Sequence, residues 1–151
     1  MLKSVALLLA VVPQPNLNAP RRFITSLYTR YSTGAFEVLG REAGHVFTPS
    51  LASAIRRDAA THAGFVGKLD FDPICSCQDP DGLRVEAVSL EAEPNSQVLA
   101  VVRLHFRTQD TVIVTLNLIP TAQGWRVFDV SNRGMPSLRE LLAANPEHKD
   151  R

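Results

Sequence analysis

Two hydrophobic periods divide the chain near residue 83. Before it, apolar residues recur every three to four positions, and after it every two. Phe23, Ile24, Leu27, Tyr28 and Tyr31 make one helical stripe, with Arg21, Arg22, Thr25, Thr29 and Arg30 mostly off it. Pro20 suits the first turn of that helix, where its missing N–H costs nothing, and Ser32-Thr33-Gly34 ends it. Residues 36–41 read as a short helix. Thr48-Pro49 predicts another, with Thr48 as N-cap and Pro49 at the first helical position. Leu51, Ala52, Ile55 and Ala59 mark its buried face, Arg56, Arg57 and Asp58 its wet one, and Ala63-Gly64 its stop.

The second half reads as four strands, 84–91, 98–107, 111–119 and 125–130, with a turn at Thr108-Gln109-Asp110. In the third strand Val112, Val114, Leu116 and Leu118 face one way and Thr111, Thr115 and Asn117 the other, with Ile113 an exception on that polar face. Short connections make successive strands antiparallel neighbours, so the sheet should be a meander. Ser137-Leu138-Arg139-Glu140 is a capping box that opens a final helix over 138–144, stopped by Asn145-Pro146. The expected class is α+β, with the N-terminal helices packed on a four-stranded antiparallel meander and a short C-terminal helix. A sheet curved around the long helix would make a cone with a pocket at its wide end, as in nuclear-transport-factor-2-like (cystatin-like) folds.

Between the two halves, residues 69–82 hold both cysteines, four aspartates, two prolines and a terminal glycine. No regular element tolerates that mixture, so an irregular, hydrogen-bonded loop is expected there.

Composition narrows the class. The chain has 151 residues, 45% apolar and 21% charged, with 16 basic and 15 acidic side chains for a net charge of +1. That length fits one domain with a core of its own. Scattered basic residues leave no electrostatic footprint for nucleic acid. No apolar run reaches the ~20 residues that span a bilayer, so the mature chain carries no membrane span. Lys3, the apolar run 5–12, Pro13 and the small residue Ala19 follow the layout of a secretory signal peptide. The expected organisation is therefore a signal peptide over 1–19, one domain over 20–145 and a frayed tail over 146–151, in a periplasmic or secreted protein.

The helix 23–31, the block Leu69-Asp70-Phe71-Asp72-Pro73, Gln78-Asp79 and the strand Gly124-Trp125-Arg126-Val127-Phe128-Asp129-Val130 together resemble one group. It is the set of small exported bacterial proteins catalogued as domain of unknown function 3828, and the resemblance covers roughly 20–144. It implies a nuclear-transport-factor-2-like fold and carries over no catalytic residues.

The candidate chemistry is sparse. Cys75 and Cys77 suit a local disulfide or a redox pair in an oxidising compartment. One intervening residue makes the ring small and strained, and zinc would need two further ligands. Asp70, Asp72, Asp79 and Asp81 do not keep a calcium-loop register, and Asp72, Gln78 and Asp79 serve more simply as loop-shaping or binding groups. Alternation puts Asp129 on one strand face with Trp125 and Val127, so Asp129 opposite Tyr28 or Tyr31 would form a general base and a hydrogen-bond donor. His45, His62, His105 and His148 fall on separate elements. His105 with Arg103 and Arg107 forms a solvated stripe or a surface for an acidic partner. The expectation is a non-enzymatic domain binding a small ligand or an envelope protein, of immunity or inhibitor type, without cofactor or metal. The alternatives are a small isomerase or hydrolase using Asp129 and a helix tyrosine, and a redox or metal-responsive envelope protein using Cys75 and Cys77.

Overall fold

The structure, a computed structural model, describes residues 16–34, 36–61, 67–107 and 110–144. The signal-peptide reading lies outside them except at its last four positions, as do His62, His148, the Ala63-Gly64 stop, most of the 108–110 turn and the tail. The first element is α1 (Asn18–Thr29), continued by a 3-10 turn over Arg30–Thr33 that Gly34 closes at φ +75°. Its stripe is buried as its spacing predicts: Ile24, Leu27, Tyr28 and Tyr31 are in the core and Phe23 packs against it. Residues 38–42 form turns instead of the expected helix, and the helical turn α2 comes later, at Ala43–Val46.

Pro49 opens α3 (Pro49–Thr61), which buries Leu51, Ala52 and Ile55 but leaves Ala59 exposed. Asp58 departs from its expected wet face. Its carboxylate accepts the backbone N–H of Lys68 at 3.2 Å and of Leu69 at 3.1 Å, tying the helix to the start of the 69–82 loop.

Four strands follow, β1 (Arg84–Ala92), β2 (Val98–His105), β3 (Val112–Thr121) and β4 (Gly124–Asn132), in an antiparallel sheet of order β1-β2-β3-β4. The meander and the α+β class are as the period change predicts. Val98, Ala100, Val102 and Leu104 of β2 and Val114, Leu116 and Leu118 of β3 fill the inner face. Phe47, fully buried, lies beside β4 in a parallel bridge to Val127, and the Thr48 N–H donates to the Val127 carbonyl at 3.0 Å.

Strand β4 does not alternate as its sequence implies. Asn117 pairs with Asp129, but the next residue, Leu118, pairs with Val127, so Phe128 is an extra residue in the ladder. Such a bulge reverses the inward parity. Val127 and Val130, three positions apart, are therefore both fully buried. After the strand, α4 (Leu138–Ala143) packs on β4 and α3. Ser137 accepts from the Glu140 N–H at 3.1 Å, the forward half of the capping box.

Candidate functional site

The loop 69–82 is irregular throughout and tightly built. Asp72 and Cys77 exchange both backbone hydrogen bonds, at 2.9 and 3.2 Å, closing a small antiparallel bridge. Inside it the Sγ atoms of Cys75 and Cys77 lie 1.94 Å apart, disulfide distance. The ring strain expected of so short a span shows at the residue between them: Ser76 sits at φ +52°, the left-handed region that disfavours a side chain. Both cysteines are buried, at 0% and 4% exposure, so a reacting thiol has no direct approach to either sulfur.

Beneath the bridge the two tyrosines of the α1 stripe reach the loop. Tyr28 donates its hydroxyl hydrogen to the Ile74 carbonyl at 2.8 Å. Tyr31 donates to Asp72 Oδ2 at 2.6 Å, while Asp72 Oδ1 accepts the Ile74 N–H at 2.8 Å. Burial pushes the Asp72 carboxyl above the ordinary carboxylate range, against the opposing pull of Tyr31 and of the Ile74 and Cys75 N–H groups. Burial, reinforced by the Asp72 charge, drives both phenols well above the usual tyrosine value. Neither is placed to give up its proton.

The other loop residues act locally. Asp79 accepts the Asp81 N–H at 3.0 Å in an Asx turn. Gln78 is exposed and lines a groove of about 680 Å³ with Phe36, Leu39, Leu69, Asp70 and Asp72. Gly82, at φ +68°, places its α-carbon where an added Cβ would lie 2.8 Å from the Arg107 Cβ, so the exit of the loop demands glycine. Phe71 borders that groove and also a larger one of about 1220 Å³, walled by the β3 start, the β4 end and α4.

Asp129 is not opposite the tyrosines. Its Oδ2 accepts from the Ser137 hydroxyl at 2.7 Å, and its Oδ1 from the Arg139 N–H at 3.1 Å and the Val130 N–H at 2.8 Å. The bulge turns it away from the inner face, and it spends its acceptors on the start of α4. The expected base-and-phenol arrangement is thus absent, and Trp125 packs against the core. Among the described residues no group of three His, Cys, Asp or Glu side chains converges as a metal site would, and no helix is long and apolar enough to cross a membrane.

Sequence reasoning missed Asp58 as the anchor of the loop, and its position beside two arginines gave no signal of that role. It did single out Ile113, which is 47% exposed and lies on the larger groove.

No family model matches the chain. It is 29% identical over 142 residues to the uncharacterised protein YqhG of Escherichia coli K12, a match that covers 90% of this chain. The chain spans only 45% of that relative's length. Among solved structures it is similar to a chain of the type VI effector–immunity complex Tae3–Tai3 from Ralstonia pickettii. The TM-score is 0.52 and the identity 21%, over 77% of this chain and 96% of that one. At that identity the likeness is one of fold.

Proposed function

We propose that this chain is a non-enzymatic protein-binding domain of the immunity or inhibitor kind, working in a bacterial envelope. One observation carries the reading: the side chains best suited to acid–base work are spent on scaffolding. Tyr28 holds the Ile74 carbonyl, Tyr31 holds Asp72, and Asp129 holds the first turn of α4. What they scaffold is a stiff loop flanked by two open grooves, which suits recognition of a preformed surface. The fold likeness to a chain from an effector–immunity complex supports the same reading.

Export rests on the signal-like N-terminus and agrees with the cysteine pair, which we read as an oxidised structural bridge. Their resemblance-based kinship with the exported group of unknown function belongs to the same proposal. Burial of both sulfurs disfavours a redox function through Cys75 and Cys77.

The test pairs the purified chain with type VI effectors from its own genome. Calorimetric titration should find one that binds with nanomolar affinity, and the chain, sent to the periplasm, should protect cells making that effector there. Weak or absent binding across the set, with no protection, overturns the reading.

A further inference from the structure

The larger groove holds three features that the scaffold leaves unused. Ile113 projects from the outer face of β3 at 47% exposure, where its strand neighbours on that face are threonines. Its cross-strand partner is Arg103. Asn132 lines the floor. Its Oδ1 accepts the Gly134 N–H at 3.0 Å, but its Nδ2 is shielded from solvent and has no acceptor among the described residues. A shielded donor without an acceptor is costly in a folded chain.

The charges around it are unequal. Lys68 and Arg133 line the groove and Arg103 flanks it, against the single lining carboxylate of Glu140. Lys68 is occupied, donating to the carbonyls of Leu142 and Ala144 at the end of α4. Arg103 and Arg133 are exposed and without partners among the described residues. At about 1220 Å³ and open along one side, the groove exceeds the roughly 300–1,000 Å³ typical of small-molecule sites.

We propose that this groove seats an extended segment of the partner protein, one carrying an apolar side chain beside an Asp or Glu. The apolar side chain covers Ile113 against Val112 and Leu141. The carboxylate meets Arg103 and Arg133, where a bidentate fork is available. A main-chain carbonyl pressed against the floor gives Asn132 Nδ2 the acceptor it lacks. The inference rests on the protein-binding reading and specifies where and what that binding is.

Randomised twelve-residue peptides displayed on phage would be selected on the immobilised full chain. The enriched peptides would then be measured against the Ile113→Asp and Arg133→Glu variants, with Asp70→Lys in the smaller groove as control. Enriched peptides should place an aliphatic or aromatic residue within two positions of an acid. They should bind each groove variant at least about tenfold more weakly, 1.4 kcal/mol or more, and the control unchanged. No enrichment, enrichment without acids, or binding that survives both groove variants overturns the proposal. Circular dichroism and melting of each variant separate lost binding from lost fold. An effector that binds the wild type and both groove variants alike refutes this placement while leaving the protein-binding function standing. Acid-bearing peptides lost in both variants, with no effector bound, uphold the groove and remove the inhibitor reading.

Discussion

Tyr31 donates its hydroxyl hydrogen to Asp72 Oδ2 at 2.6 Å, joining the end of the first helix to a loop 41 residues further along the chain. The same carboxylate also takes the Ile74 N–H. The conformation of the loop therefore depends on a buried titratable group.

That dependence gives stability a pH signature. Burial raises the folded-state pKa of Asp72 above its unfolded value. The folded chain therefore binds this proton more tightly than the unfolded chain does. The resulting contribution is full below the ordinary aspartate range and is lost as pH rises through the raised folded value. Urea midpoints of the wild type should carry a declining component just above the usual carboxylate range, and Asp72→Asn should remove it. Tyr31→Phe deletes a bond that lowers the Asp72 pKa, so the decline should move to higher pH. An identical pH profile for wild type and Asp72→Asn would show that Asp72 is not the group involved.

Tyr28→Phe keeps the ring and leaves the Ile74 carbonyl without its donor. Ile74 is fully buried, so the expected loss is about 1–3 kcal/mol, read from chemical denaturation. Partner binding should persist wherever the variant is folded, because the hydroxyl faces inward. Loss of binding by a fully folded Tyr28→Phe would give the phenol a direct role.

Most of this architecture was legible in residue order. The change of period at residue 83 located the helix–sheet division, and the Phe23–Tyr31 stripe identified α1's buried face. The composition of 69–82 excluded helix and strand. What stayed hidden depended on pairing between distant segments. Nothing local to Phe128 marks it as the extra residue of a bulge, because Phe128 and Val130 are as apolar as Trp125 and Val127. Strict alternation therefore assigned Asp129 to a pocket with the tyrosines. Asp58 was read as solvated for a similar reason: its partners, Lys68 and Leu69, lie beyond the end of its helix.

The cysteine pair should resist alkylation in chain purified from an oxidising compartment and denatured without reductant. Intact mass with and without reduction counts the protected thiols. Replacing both Cys75 and Cys77 with Ser should cost on the order of 1–2 kcal/mol, since so short a ring constrains the unfolded chain little. Ser76→Gly, with the pair intact, should be neutral to stabilising by up to about 1 kcal/mol, because glycine accepts the left-handed backbone without a side-chain clash. A destabilising Ser76→Gly would mean that the serine side chain holds the loop.

Asp129→Ala should cost about 1–2 kcal/mol, comparable to losing a helix cap. The effect should be local. Amide exchange should accelerate over Leu138–Ala143 before it does in β2 and β3, because Asp129 connects β4 to the Ser137 hydroxyl and the Arg139 N–H. Asp129→Asn retains one acceptor oxygen and should lose less. Uniform exchange across sheet and helix would place the role of Asp129 elsewhere.

The extra residue in β4 makes the strand two half-strands in opposite phase, joined at Phe128. In the first, Val127 points to the core; in the second, Val130 does. Side-chain chemistry in this strand is thus subordinate to residue count. Almost any one position outside the core can change character without moving the others, whereas deleting Phe128 would rotate everything after it by one face. Val130 would turn to solvent, Asp129 would turn inward without the α4 N–H groups it now satisfies, and α4 would lose its mooring. Single-residue deletions across the strand should therefore be far less tolerated than substitutions at the same sites.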